Sequence, residues 1–189
     1  MKLYDELPLT VEYGGKEYKL RPAWPNVLAA IDALEDEQLS EEEQAACALD
    51  LLVSGPHPVS GGLLKAVFEA LSDGKKEHSG PPVVDFTQDW ELIYAGFWQA
   101  YGIDLFKRRD MHWVQFSALL RGLPSGTRLA DVIEIRQMEI PAPTKDNGKY
   151  RAKIAQLKAK YAIRKRSASL QDGLAELFAS LKAQAKGGD

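Results

Sequence analysis

Asp85-Phe86-Thr87-Gln88-Asp89-Trp90-Glu91-Leu92-Ile93-Tyr94-Ala95-Gly96-Phe97-Trp98-Gln99-Ala100-Tyr101-Gly102 is the stretch that decides the fold class. Phe86, Trp90, Ile93, Tyr94, Phe97, Trp98 and Tyr101 recur at spacings of three and four, which puts them on one broad face of an α-helix. Asp85 is placed to cap that helix and Gly102 to end it. No strand has this period, so the chain is read as mainly α.

The same pattern continues on both sides. A helix is expected from Asp110 to Leu120 through Trp113 and Phe116, followed by the turn Gly122-Leu123-Pro124-Ser125-Gly126. Thr127 then caps a helix through Leu129, Val132, Ile133 and Ile135. Pro141, Pro143 and Gly148 mark a linker, and Lys149 to Arg166 comes next as a basic helix with an apolar seam at Tyr150, Ile154, Leu157 and Tyr161. Toward the N-terminus, Val27 to Leu34 has helical spacing behind Pro25. Ser40-Glu41-Glu42-Glu43 carries the capping-box pattern and opens a helix through Ala45, Cys47, Leu49, Leu51 and Leu52. A further helix covers Ser60 to Leu71, and Ser72 to Pro82 reads as a polar linker. Only Val11/Tyr13 and Tyr18/Leu20 alternate, around Gly14-Gly15, which suits a β-hairpin. The expectation is a mainly α helical bundle of about six to eight helices with a small N-terminal β-hairpin. Residues 1–166 are read as a single helical domain. Residues 167–189 are read as a C-terminal amphipathic helix, with Leu170, Leu174, Leu177, Phe178 and Leu181 as its stripe, and a flexible tail.

Composition bounds the function. With 45% hydrophobic and 27% charged residues, the 189-residue chain has enough apolar content for a core. A net charge of −3 favours solubility over general affinity for phosphate backbones. No apolar run reaches the roughly 18–20 residues that cross a bilayer. The first residues lack a secretory signal, and Cys47, the only cysteine, allows no internal disulfide. A cytosolic protein with no membrane contact is expected.

Chemistry finds little support. His57, His78 and His112 lie in three different segments and form no metal-ligand pair. No phosphate loop or nucleophile elbow occurs, and Cys47 reads as a buried structural residue. Asp85 and Asp89 are the best carboxylate pair, but two acids at a helix start are better explained by the helix dipole. No catalytic residue, metal site or cofactor is expected, and the chain is read as not an enzyme. The basic helix raises nucleic-acid binding, but the acids Asp131 and Glu134 make a poor recognition helix of the preceding one. The reading that remains is a protein that binds proteins. Trp90, Tyr94, Trp98, Trp113 and Phe116 would form its core or a groove, and Leu174, Leu177, Phe178 and Leu181 would act in docking or self-association.

Several segments resemble one family. The stretches Asp85 to Asp89 and Ile93 to Leu105, Met111-His112-Trp113-Val114-Gln115-Phe116-Ser117-Ala118-Leu119-Leu120-Arg121-Gly122-Leu123-Pro124, and Ile133-Glu134-Ile135-Arg136-Gln137-Met138-Glu139-Ile140-Pro141 are similar to a bacteriophage family usually called gene product fifteen. The helix from Tyr150 to Tyr161 also resembles it, the N-terminal part fits more loosely, and Ser167 to Asp189 lies beyond it. Genes of that family usually sit in phage tail modules, just before the tape-measure gene. The resemblance therefore implies a tail assembly chaperone or adaptor, in the host cytoplasm, whose partner is the tape-measure protein. It brings no catalytic residues. The alternatives are a structural tail component retained in the virion and a regulator that binds nucleic acid through residues 149–166.

Overall fold

The computed structural model describes residues 5–72 and 82–163. Among them the chain is mainly α, with seven helices and a three-stranded antiparallel sheet. Its contacts divide it into two compact units.

The first unit contains the described residues up to 72, together with 109–118. Strands β1 (Thr10–Tyr13) and β2 (Lys16–Leu20) form the expected hairpin, pairing Val11 with Tyr18 and Tyr13 with Lys16. Gly14 and Gly15 both turn at positive φ, 59° and 73°, which is why two glycines stand there. Helix α1 (Trp24–Leu34) begins on Pro25 and packs on α2 (Glu41–Leu52). Fully buried Ala30, Ala45 and Ala48 offer little side-chain bulk, so the two helices can approach closely. The capping box forms as read. Ser40 Oγ accepts from the Glu43 N–H at 3.4 Å, while Glu43 Oε2 accepts from the Ser40 N–H at 2.8 Å. The Ser40 hydroxyl also donates to Glu43 Oε2 at 2.6 Å, and this bond, followed by that from the Ser40 N–H, holds the Glu43 carboxyl below its ordinary pKa.

A third strand, β3 (Val53–Ser54), continues from α2 and pairs with Lys19 and Leu20 of β2. Helix α3 (Gly61–Leu71) is capped by Ser60 and buries Leu63, Leu64, Val67 and Leu71. Burial of each such side chain contributes roughly 1.5–3 kcal/mol. Tyr13 Oη lies 2.8 Å from Ser60 Oγ, and a Cβ on Gly62 would stand 2.6 Å from the same oxygen. A side chain at position 62 would therefore have to push the Tyr13 ring aside.

Two readings in this unit are corrected. Cys47 is exposed rather than buried, because it falls on the face of α2 opposite Ala45, Ala48, Leu49 and Leu52. The helix expected from Asp110 starts only at Trp113, as α5 (Trp113–Arg121). Met111 and His112 are held extended instead: the Met111 carbonyl accepts from the Trp24 N–H at 3.0 Å, and His112 bridges to Ala23. His112 Nδ1 accepts from the Val114 N–H at 3.1 Å, and its Nε2 meets the Pro8 carbonyl at 3.0 Å.

The second unit contains the described residues 82–108 and 119–163. It holds α4 (Trp90–Tyr101), the last residues of α5, α6 (Arg128–Gln137) and α7 (Gly148–Tyr161). Ile93 and Phe97 of α4, Leu129 and Val132 of α6 and Ile154 of α7 are buried within it. Thr127 caps α6 as expected, its hydroxyl accepting from the Ala130 N–H at 3.4 Å. No helix among the described residues is long and apolar enough to cross a membrane.

Candidate functional site

Helix α4 begins at Trp90, one turn later than its sequence suggests. Asp85 caps a preceding turn instead, its Oδ1 accepting from the N–H groups of Thr87 at 2.9 Å and Gln88 at 2.6 Å. Phe86 thus precedes the helix rather than joining its face. Asp89 occupies the N-cap position but makes no side-chain cap. Its carboxylate faces Arg136 in a two-pronged ion pair, with Nη1 to Oδ2 at 2.6 Å and Nη2 to Oδ1 at 2.9 Å. Both side chains are almost wholly buried, 7% exposed for Arg136 and 3% for Asp89. Arg136 also donates to the carbonyls of Val83 at 2.8 Å and Tyr161 at 2.7 Å. One guanidinium thereby ties the entry to α4, the last turn of α6 and the end of α7. The carboxylates read as first-turn acids are a buried structural pair and a turn cap.

This anchor fixes which side of α4 turns inward. Ile93, Gly96 and Phe97 are buried, and a Cβ on Gly96 would stand 3.0 Å from Leu123 Cδ1. Trp90, Tyr94 and Trp98 stand four apart along the neighbouring strip, each displaced by about 40° from the one before. Trp90 is 51% exposed and Trp98 55%, while Tyr94 is half-buried between them. Gly102 ends the helix at φ 64°, and the turn at Asp104 then brings the chain back. Asp104 Oδ1 accepts from the Phe106 N–H at 3.1 Å, and Leu105 is buried beneath. Phe106, 61% exposed, comes to rest 5.1 Å from the Tyr94 ring and 6.4 Å from that of Trp90. Tyr94 and Trp98 stack at 6.4 Å. The four rings form one outward-facing strip in which each braces its neighbour.

The remaining expected residues lie elsewhere. Phe116 is buried in the first unit, stacked between Trp24 at 5.1 Å and half-buried Trp113 at 5.6 Å. Leu174, Leu177, Phe178 and Leu181 lie outside the described residues. Phe106 was not among the expected residues. Only the helical period was used to collect aromatics, and Phe106 reaches the strip through a turn that breaks that period.

The basic helix is partly committed to the fold. Lys158 Nζ donates to the carbonyls of Arg136 at 2.7 Å and Met138, closing the C-terminal end of α6 where a cation is favoured. Arg128 donates to Tyr161 Oη at 2.6 Å. The apolar seam runs through Ile154, Leu157 and Tyr161, but Tyr150, expected in it, is 61% exposed in the first turn of α7. Among the described residues no group of three or more His, Cys, Asp or Glu side chains is placed to hold a metal ion.

A family model described as Bacteriophage Gp15 protein matches residues 3–163 of the chain. That span includes the aromatic strip and its buried anchor, and it stops short of the C-terminal segment. No match to a curated protein or to a solved structure was found.

Proposed function

From the premise that the chain belongs to the Bacteriophage Gp15 protein family, we propose that it is a tail assembly chaperone or adaptor that holds the phage tape-measure protein before the tail tube polymerises. It acts in the host cytoplasm, by binding and without catalysis. The observation that supports this reading is the strip of Trp90, Tyr94, Trp98 and Phe106, with three of its rings more than half exposed. Trp and Tyr are the side chains that most often dominate binding energy at protein interfaces. Rings four residues apart on a rigid helix match the anchor spacing by which one amphipathic helix lies along another. A tape measure is a long helical chain with repeated apolar faces, and it suits such a surface.

The basic segment gives less support to nucleic-acid binding. Lys158 and Arg128 already serve carbonyl and phenol groups of the fold. Co-expression with the tape-measure protein of the same phage tests the proposal. Soluble tape measure should co-purify with the intact chain, and Trp90→Ala with Trp98→Ala should release it. If the tape measure stays insoluble and the chain is instead recovered in purified virions, the chain is a structural tail component and the chaperone reading fails.

A further inference from the structure

Asn147 and Gly148 join the second linker to α7 and form the one Asn-Gly pair in the sequence. Such a pair carries a reaction of its own. The glycine amide nitrogen can attack the side-chain amide carbon of the asparagine, because no side chain on the glycine crowds the approach. The chain's other asparagine, Asn26, is followed by β-branched Val27, which closes that approach.

Both the opportunity and a restraint are built into the fold. Gly148 does not have a positive φ, and a Cβ placed on it would meet nothing within 4 Å. Neither space nor backbone conformation therefore calls for glycine at the first position of α7, where alanine would suit the helix better. As that first residue, Gly148 donates its N–H to no earlier carbonyl of the helix. Asn147, by contrast, is held three times. Its Oδ1 accepts from the Thr144 N–H at 2.9 Å, and its Nδ2 donates to the Ala142 carbonyl at 2.8 Å. Its own carbonyl accepts from the Arg151 N–H at 2.9 Å. Closing a flat five-membered ring brings the side chain and the Gly148 nitrogen to the same side of the Cα–C bond, which needs ψ far from its present 8°. That turn swings the carboxamide and the carbonyl out of all three bonds.

We propose that Asn147 is a self-modification site, converted to aspartate and isoaspartate whenever the linker opens. The Gly148 nitrogen loses its proton to solvent base and bonds to the Asn147 side-chain carbon, and the side-chain nitrogen leaves as ammonia. Water then opens the cyclic imide at either carbonyl. One opening gives aspartate, and the other gives isoaspartate, with the main chain rerouted through the side chain. The product carboxylate has no hydrogen to give to the Ala142 carbonyl, and isoaspartate adds a carbon to the backbone where α7 begins. The first turn of α7 is thus released from the linker, while its last turn keeps Lys158 on the Arg136 and Met138 carbonyls. None of this depends on what the protein binds.

The test ages the full chain in mildly alkaline buffer, folded and in urea, and follows both asparagines by peptide mass spectrometry. In urea Asn147 should convert while Asn26 stays intact, and the folded chain should convert about tenfold or more slowly. Gly148→Ala should fold with an unchanged or higher urea midpoint and should lower the rate in urea by about tenfold or more. An Asn147 that stays intact in urea, or a Gly148→Ala chain that converts at the wild-type rate, would overturn the proposal. Equal rates with and without urea would refute the restraint. The converted chain, separated by its added charge, should exchange the Thr144 and Arg151 amide hydrogens faster, with those in the last turn of α7 unmoved. Unchanged exchange at Thr144 and Arg151 rules out the release of the first turn.

Discussion

Replacing Arg136 by methionine keeps the side chain's length but leaves the Asp89 carboxylate buried with only the Asp85 N–H, at 2.9 Å, as a remaining partner. Breaking a buried ion pair from one side costs roughly 3–5 kcal/mol, far more than an exposed pair would. Urea denaturation of Arg136→Met should show a loss of that size. Asp89→Asn combined with Arg136→Met should recover part of it, since no uncompensated charge then remains. At Gly62 an added side chain meets the Tyr13 ring. Gly62→Ala sets a methyl 2.6 Å from Tyr13 Oη, and the resulting displacement should cost roughly 1–3 kcal/mol in the same assay. Both effects depend on partners far away in sequence, which explains why neither was legible there. Asp89 and Arg136 are 47 residues apart, as are Tyr13 and Ser60. Local spacing read Asp89 only as an acid near a helix start.

The helices were legible where local physics decides them. Ser40 with Glu43, Ser60, Pro25 and Thr127 each mark a helix start through a bond or a fixed dihedral within a few residues. The starts of α4 and α5 were misplaced because long-range bonds, from Arg136 to Asp89 and from Trp24 to Met111, hold the first expected turns in other conformations. Strand β3 escaped notice for a similar reason. It is two residues long and exists through its pairing with β2. The Ser40 box also carries a pH signature. Because its bonds lower the folded pKa of Glu43, their contribution is present above the ordinary glutamate value and disappears as pH falls through the lowered one. Ser40→Ala should return the Glu43 titration, tracked by NMR, toward its ordinary position. On α4, neighbouring residues should separate stability from binding. Phe97→Ala removes a fully buried ring and should cost roughly 3–5 kcal/mol. Trp98→Ala, 55% exposed and stacked only on Tyr94, should cost far less, roughly 0.5–1.5 kcal/mol, while weakening binding of the proposed partner.

For the molecule as a whole, mainly α architecture with an N-terminal hairpin emerges from the sequence pattern, and the family match spans all the described residues. The aromatic site was legible by half. The period of α4 delivers Trp90, Tyr94 and Trp98, but the same reading also gathers Trp113 and Phe116, which stack in the first unit, Phe116 against Trp24 as well. Aromatic composition alone does not distinguish a ring that fills a core from one that faces water. The proposal of a protein partner also carries an electrostatic expectation. At a net charge of −3, with Lys158 and Arg128 occupied, the intact chain should show no saturable binding to random-sequence duplex DNA at low salt. Fluorescence anisotropy reads this directly. Tight binding that falls steeply with added salt would revive the nucleic-acid reading.

The outward position of Cys47 on α2 gives every copy of the chain one accessible thiol and no second cysteine with which to close a loop. A maleimide dye would therefore mark each copy once, so the bleaching steps of a single assembly would count the chains within it. The same thiol makes air an unwanted reagent. Two copies joined by a sulfur–sulfur bond would pass for a dimer, and a true head count needs a reductant in the buffer until the dye is added.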